Sequence, residues 1–243
     1  MHATDGPVVS VEHVHHRYRG KRALEDVSLS LATGQLVGLI GPDGGGKSTL
    51  MGLIAGAKVI QEGAVHVLGG DLRHRRHRNA ICPRIAYMPQ GLGSNLYAEL
   101  SVRENLEFFA HLFSLGKQDR RSRIKRLLTA TGLAAFEQRP AGKLSGGMKQ
   151  KLGLCCALIH DPDLIVIDEP FSGLDPVNTR LRNAIIEEQR AAGKAIIMST
   201  HQMYQVEALC SRIVLINQGG TVRGDSVVVL NREFADQPET VVG

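Results

Sequence analysis

The chain has 243 residues, 43% of them apolar, with 29 basic against 24 acidic side chains and a formal net charge of +5. That length suits one large domain or a domain with a subdomain, and the apolar share is that of a globular protein. No apolar run approaches the ~18 residues that cross a bilayer, and Met1 to Pro7 lack the apolar stretch of a secretory signal. The expectation is therefore a cytosolic protein that meets a membrane only through a partner.

In chain order, Val8 to Val14 partly alternates, and His15-His16-Arg17-Tyr18-Arg19-Gly20 breaks the pattern. Val27 to Leu31 alternates strictly, as a half-buried strand does, and Ala64 to Leu68 before Gly69-Gly70 is another short strand. These pieces predict a small antiparallel sheet. Tyr18 either stacks on a base or packs on that sheet. His13, His15 and His16 lack the cysteine or carboxylate company of a metal site and read as surface histidines.

Leu36 to Ile40 is an apolar run that predicts a buried strand. It leads into Gly41-Pro42-Asp43-Gly44-Gly45-Gly46-Lys47-Ser48-Thr49, which has the spacing G-x-x-x-x-G-K-S of a phosphate-binding loop. Glycines let the backbone curl so that its N–H groups converge on an anion. Lys47 supplies a mobile positive charge for β- and γ-phosphates, and the Ser48 hydroxyl is placed to ligate Mg²⁺. Leu50, Leu53 and Ile54 then recur at helical spacing, with Gly56 as a terminator. Strand, loop and helix follow in the order that sets the loop at a helix N-terminus, where anions are favoured.

Arg73-His74-Arg75-Arg76-His77-Arg78 forms one basic cluster, and Arg120, Arg121, Arg123, Lys125 and Arg126 form another. Each is a solvated surface or a contact for anionic lipid or RNA; neither is interleaved with stacking aromatics. Arg84 to Met88 reads as a strand whose carboxyl end delivers Gln90 to where open α/β sheets bind ligands. From about Gly91 to Ile159 the pattern turns helical. Ser101-Val102-Arg103-Glu104 is a capping box, and Leu106, Phe109, Ala110 and Phe113 line one face behind it. Ile124, Leu127, Leu128 and Thr131 line a second helix.

Leu144-Ser145-Gly146-Gly147-Met148-Lys149-Gln150 is a second anion-binding helix start: Ser145 caps, and Gly146 and Gly147 leave N–H groups uncovered. Cys155 and Cys156 lie in the apolar stretch that follows. With Cys82 and Cys210 they make no C-x-x-C pair and read as buried reduced thiols. Leu164 to Ile167 is a buried strand leading into Asp168-Glu169. Carboxylates there suit metal-assisted phosphate chemistry, the first holding Mg²⁺ through water and the second activating water. Asp175 and Pro176 start another helix, which continues through Leu181, Ala184 and Ile185. Ala195 to Thr200 is a strand ending at His201, whose neutral imidazole can hydrogen-bond a phosphate or a water. Arg212 to Ile216 is the last clear core strand.

This order of motifs resembles the ATP-binding cassette (ABC) ATPases, the nucleotide-binding subunits of ABC transporters, from about Val8 to Asp225. The resemblance implies an α/β P-loop NTPase (RecA-like) core with a small antiparallel β subdomain and an inserted α-helical subdomain. The core and β subdomain would take about 7–90 and 160–225, the helices 91–159 and a tail 226–243, all within one nucleotide-binding domain over 1–243. It implies that Tyr18 stacks on adenine and that Gly41 to Thr49 hold the phosphates of ATP. It implies that Gln90 touches Mg²⁺ and reports to a membrane partner, and that Asp168 is the Mg²⁺ carboxylate and Glu169 the catalytic base. Ser145, Gly146 and Gly147 would cover ATP held by the opposite subunit; Asp175 would lie in a loop crossing the dimer interface, and His201 would be the switch histidine. Gly41-Pro42-Asp43 and Met148 to Leu154 look like export-type members, similar to drug-efflux ATPases and a ribosome-associated ABC ATPase of bacteria. The implied function is an Mg²⁺-dependent ATPase driving a membrane exporter. It would act as a homodimer or pseudo-dimer with a second ABC ATPase domain and bind an integral-membrane permease at the inner face of the membrane. The alternative is a soluble ABC-type ATPase on a ribosome or nucleic acid. Asp43 is expected to point away from the phosphates, because its carboxylate would repel them.

Overall fold

The computed structural model describes residues 6–90, 95–168, 176–200, 209–217 and 220–226. The strands are β1 (Val9–Tyr18), β2 (Lys21–Leu31), β3 (Leu36–Ile40), β4 (Glu62–Val67), β5 (Gly70–Asp71), β6 (Ile85–Met88), β7 (Leu164–Ile167), β8 (Ala195–Ser199), β9 (Arg212–Asn217) and β10 (Gly220–Ser226). The helices are α1 (Lys47–Ile54), α2 (Arg75–Ile81), α3 (Val102–Leu112), α4 (Lys117–Thr131), α5 (Gly146–Leu158) and α6 (Pro176–Ala191). The strands form a four-stranded sheet, β2-β1-β4-β5, and a six-stranded sheet, β10-β9-β3-β8-β7-β6. The first is antiparallel; in the second, β9, β3, β8, β7 and β6 run parallel and β10 pairs antiparallel with β9. This is the α/β architecture of a P-loop NTPase.

The central parallel strands are mostly apolar because both of their faces are buried. Alternate residues go to different cores. Val37, Leu39, Leu164, Val166 and Ile197 face α1 and the antiparallel sheet. Leu36, Ile165, Ile167, Ile196 and Met198 face a second core built with α3, α4, α5 and α6. A one-residue slip in any of these strands would exchange the two sets of contacts.

Two strands depart from their sequence pattern. β1 runs on through His15 to Tyr18, because it is an inner strand paired with β2 on one side and β4 on the other. The broken alternation is a bulge: the register shifts between Val11 and Val14, and His13 takes φ 48° with its N–H given to the Ser28 hydroxyl. The bulge turns His16 inward, so it is buried rather than a surface histidine. The sequence pattern placed the last clear core strand at Arg212 to Ile216; β9 takes Arg212–Asn217, and β10 adds another strand beyond it at the sheet edge.

The helical region follows its pattern. The Ser101–Glu104 capping box starts α3, with Leu106 and Ala110 buried and Phe109 packed at the core margin. Ile124, Leu127, Leu128 and Thr131 are the buried face of α4. In α6 the buried pair is Ile185 and Ile186, while Ala184 is exposed. Asn105 is a buried organiser absent from the apolar pattern. Its amide nitrogen donates to the carbonyls of Tyr97, Leu100 and Ser101, and its oxygen accepts from Tyr97 N–H. Cys155 and Cys156 are buried free thiols, and burial pushes Cys155 up to about 12. Cys82, by contrast, is exposed.

Candidate functional site

The parallel register sets several chain crossings at one end of the sheet. Leu39 on β3 lies beside Ser199 on β8, Met198 beside Ile167 on β7, and Ile167 beside Met88 on β6. The chain therefore leaves β3 into Gly41, β6 into Gln90 and β7 into Asp168 at the carboxyl edge, where open α/β sheets bind ligands. Asp168 N–H is held by Met88 C=O at 2.8 Å and Thr200 N–H by Leu39 C=O at 3.1 Å.

The phosphate loop closes on itself. A Cβ on Gly41 (φ 154°) would lie 1.9 Å from Ile216 O, and one on Gly46 (φ 107°) would lie 2.3 Å from Ala23 O, so neither position accepts a side chain. Lys47 is buried, and its ammonium donates to Gly41 O at 2.8 Å and Pro42 O at 3.0 Å. The helix ladder begins with Leu50 N–H to Gly46 O at 3.0 Å. The amides of Lys47, Ser48 and Thr49 thus precede it, at the positive end of the α1 dipole. Asp43 points outward with its side chain 93% exposed, 4.0 Å from the Lys47 ammonium. Ser48 is exposed beside the buried Lys47 and Thr49.

Asp168 is buried, and its carboxylate accepts a hydrogen bond from the Ser199 hydroxyl, which is also buried. Burial, with the Asp168 charge second, raises the Tyr87 phenol above its ordinary range. Gln90 is exposed just past β6. A serine hydroxyl, a glutamine and a carboxylate are hard oxygen donors, the set that suits Mg²⁺ with phosphate oxygens completing its shell. Among the described residues no group of three or more His, Cys, Asp or Glu is placed to hold a metal unaided.

Tyr18 ends β1 on the hairpin whose next strand lays Ala23 and Leu24 against Gly46. The ring is 43% exposed, with the His16 ring at 4.6 Å and the Lys58 ammonium 5.2 Å from its centroid. A stacking surface is therefore open beside the phosphate loop. Burial, then the Lys58 charge, lowers the pKa of His16, this neighbour of Tyr18.

The second helix start is built differently. Ser145 caps α5 by accepting Met148 N–H at 3.3 Å. Ser145 and Gly146 are exposed, and a Cβ on Gly146 would meet nothing within 4 Å. Among the described residues no hydrogen bond joins residues 145–147 to the phosphate loop. Glu169, Asp175 and His201 lie outside the described residues.

A cavity of about 280 Å³ opens along β6 and the Pro89 that follows it, lined by Tyr87, Pro89, Leu96, Phe109, Phe113 and His160 among others. His160 stacks on Phe113 with ring centroids 3.9 Å apart, and burial pushes its pKa down to about 4. Both basic clusters are partly engaged within the chain. Arg73 pairs with Asp71 at 2.8 Å, Arg78 donates to Leu72 O at 3.1 Å, Arg123 lies 3.8 Å from Asp161 and Arg126 lies 3.7 Å from Glu188.

A family model described as ABC transporter matches residues 24–172. This chain belongs to the ABC transporter family. It is 38% identical over 214 residues to the probable multidrug ABC transporter ATP-binding protein YbhF of Escherichia coli, a match covering 87% of this chain and 36% of YbhF. The chain thus spans about a third of that relative's length. Among solved structures, an ATP-binding subunit of an ABC transporter superposes with TM-score 0.84 at 31% identity, covering 94% of this chain and 93% of that one. The ATP-binding cassette MJ0796, solved as a dimer after hydrolysis with ADP and Pi, superposes with TM-score 0.78 at 25% identity, covering 90% and 98%. Among the described residues of this ABC family member, no helix is long and apolar enough to cross a membrane.

Proposed function

We propose that this chain is the ATP-binding and ATP-hydrolysing subunit of an ABC-type exporter, cytoplasmic and held at the inner face of the membrane by a permease. The observation that carries the reading is the pairing of two unlike helix starts in one ABC family chain. One is wrapped by the phosphate loop with Lys47 folded into it; the other, at Ser145 to Gly147, is capped and open to solvent. A second copy, or a second cassette, supplies what the open start lacks: ATP held by the partner's loop.

In this mechanism Gly41 to Thr49 and Tyr18 bind and orient the nucleotide. Lys47 gives up its carbonyl partners for phosphate oxygens, and the α1 amides stabilise the charge that builds on them. Bound ATP supplies the transferable phosphoryl group, and Mg²⁺ neutralises its charge. Ser48, Gln90 and Asp168 would hold the cation. Glu169 takes the proton of the attacking water, and His201 orients the groups around it. Asp175 lines the dimer interface. The cassette divides, in this reading, into core and β parts over about 7–90 and 160–225 and a helical part over about 91–159, with a tail over 226–243. The cavity lined by Tyr87 and Pro89 receives an apolar segment of the permease, which places the coupling contact one residue along the chain from Gln90. Export, rather than uptake, is supported by the export-type Gly41-Pro42-Asp43 and Met148 to Leu154 stretches and by the multidrug relative.

The test is the variant Glu169→Gln, which keeps shape and removes the base. ATP is expected to bind without turnover and to convert monomer into dimer, reverting when ATP is removed, by size-exclusion chromatography with light scattering. Adding Ser145→Arg is expected to block the dimer and leave ATP binding to the monomer nearly intact. A Glu169→Gln protein that binds ATP and stays monomeric at high concentration counts against a self-sufficient homodimer.

A further inference from the structure

β8 is apolar and buried from Ala195 to Met198 and then presents one hydroxyl, Ser199, at its carboxyl end. Ser199 is fully buried and donates to Asp168 Oδ1. The strand order makes this placement specific, because β8 lies between β3, which feeds the phosphate loop, and β7, which feeds Asp168. The backbones on both sides are already fixed, Asp168 N–H by Met88 O and Thr200 N–H by Leu39 O. What remains to be set at Asp168 is the rotation of its carboxylate, and a buried carboxylate is held in one orientation by a donor on one of its oxygens.

We infer that Ser199 is a positioning residue for the divalent-cation site: its hydroxyl fixes the Asp168 carboxylate through Oδ1 and reserves Oδ2 for a cation-bound water. This rests on the reading of Asp168 as the cation carboxylate. The role assigned to Ser199 here is the one it exerts through Asp168. Because β8 runs on toward His201, the same hydroxyl ties the strand leading to that histidine to the strand that carries the carboxylate.

The experiment measures Mn²⁺ affinity of the intact ADP-loaded chain by electron paramagnetic resonance of free Mn²⁺, alongside ADP affinity in EDTA by calorimetry. Ser199→Ala and Ser199→Cys are expected to weaken Mn²⁺ binding by about tenfold, the usual size of effect for a group that orients a metal ligand. ADP affinity without metal should be unchanged, and Ser199→Thr, which keeps the hydroxyl, should retain Mn²⁺ affinity. The cysteine variant matches serine in shape, so it decides the matter if the alanine variant folds poorly. Asp168→Asn separates the two layers of the argument. If Asp168→Asn loses Mn²⁺ while Ser199→Ala and Ser199→Cys keep it within twofold, the role of Ser199 is overturned and the site reading stands. If Asp168→Asn itself keeps Mn²⁺ affinity, the site reading fails and the role of Ser199 fails with it. Loss of metal-free ADP affinity in step with Mn²⁺ affinity would also overturn the proposal, because it would mark general damage to the phosphate loop.

Discussion

The two helix starts use the same backbone chemistry in opposite surroundings. At α1 the preceding loop is pressed against the sheet: Gly41 faces Ile216 O, Gly46 faces Ala23 O, and the Lys47 ammonium is spent on two loop carbonyls. At α5 the cap is one hydroxyl, the flanking glycine has empty space around it, and the N–H groups face solvent. On the proposed function, the phosphate site that would hold ATP through many cycles is built into the core. The one that would meet and leave a partner's ATP is kept at the surface, where little is disturbed when the contact breaks.

The contrast is broken most directly at Lys47. Lys47→Ala is expected to abolish tight ATP binding and turnover, with a loss of at least ~1.5–3 kcal/mol in binding, the range of a charge-assisted hydrogen bond. Nucleotide titration and phosphate release measure it, and near-normal hydrolysis would remove the loop from the mechanism. Gly41→Ala attacks the same loop through sterics: a methyl 1.9 Å from Ile216 O forces the β3 and β9 ends apart. About 3 kcal/mol of stability should go, read as a fall of roughly 10 °C in Tm.

The far end of α5 sharpens the comparison, because there the helix is buried. His160 titrates near 4 in the folded chain, below the ordinary 6.5, with Arg123, Asp161 and Lys194 as charged neighbours. The unfolded chain therefore binds more protons than the folded one between those values, and stability falls as pH drops from 6.5 toward 4. On the order of 2 kcal/mol is at stake. Thermal melts across that range should show a flatter acid limb for His160→Phe than for the parent; equal slopes would place the acid sensitivity elsewhere. Gly146→Ala should have the smallest effect on folding, within about 0.5 kcal/mol, since its Cβ meets nothing. Its expected consequence is a weaker ATP-dependent dimer in the Glu169→Gln background. A large loss of thermal stability would show that the α5 start is packed like the α1 start after all.

Much of this arrangement is legible without coordinates. The apolar runs Leu36 to Ile40 and Leu164 to Ile167, the Ser101–Glu104 capping box and the buried face of α4 all appear where their periodicity places them. In each, one local rule dominates. Where long-range pairing competes with local pattern, the reading fails. β1 continues past His15 because two neighbouring strands hold it, and β10 forms as a partner for β9 rather than from its own pattern. The contacts of Ser199 and Asn105 leave little mark in the sequence because a single hydroxyl or amide within an apolar segment carries no periodic signal. The break from Met198 to Ser199 before a histidine was the only hint.

The candidate chemistry is written in the chain itself. The glycine and lysine spacing of 41–49, the cap at Ser145 and the acidic pair Asp168-Glu169 are local in the chain, so they are read without knowing what packs against them. What stands beside them depends on the fold. It set β8 between the loop strand and the Asp168 strand, turned the Ser199 hydroxyl onto the carboxylate, buried His16 through a bulge and opened a cavity along β6. Such contacts join residues far apart in the chain, and strand order, which no local pattern encodes, determines which of them meet.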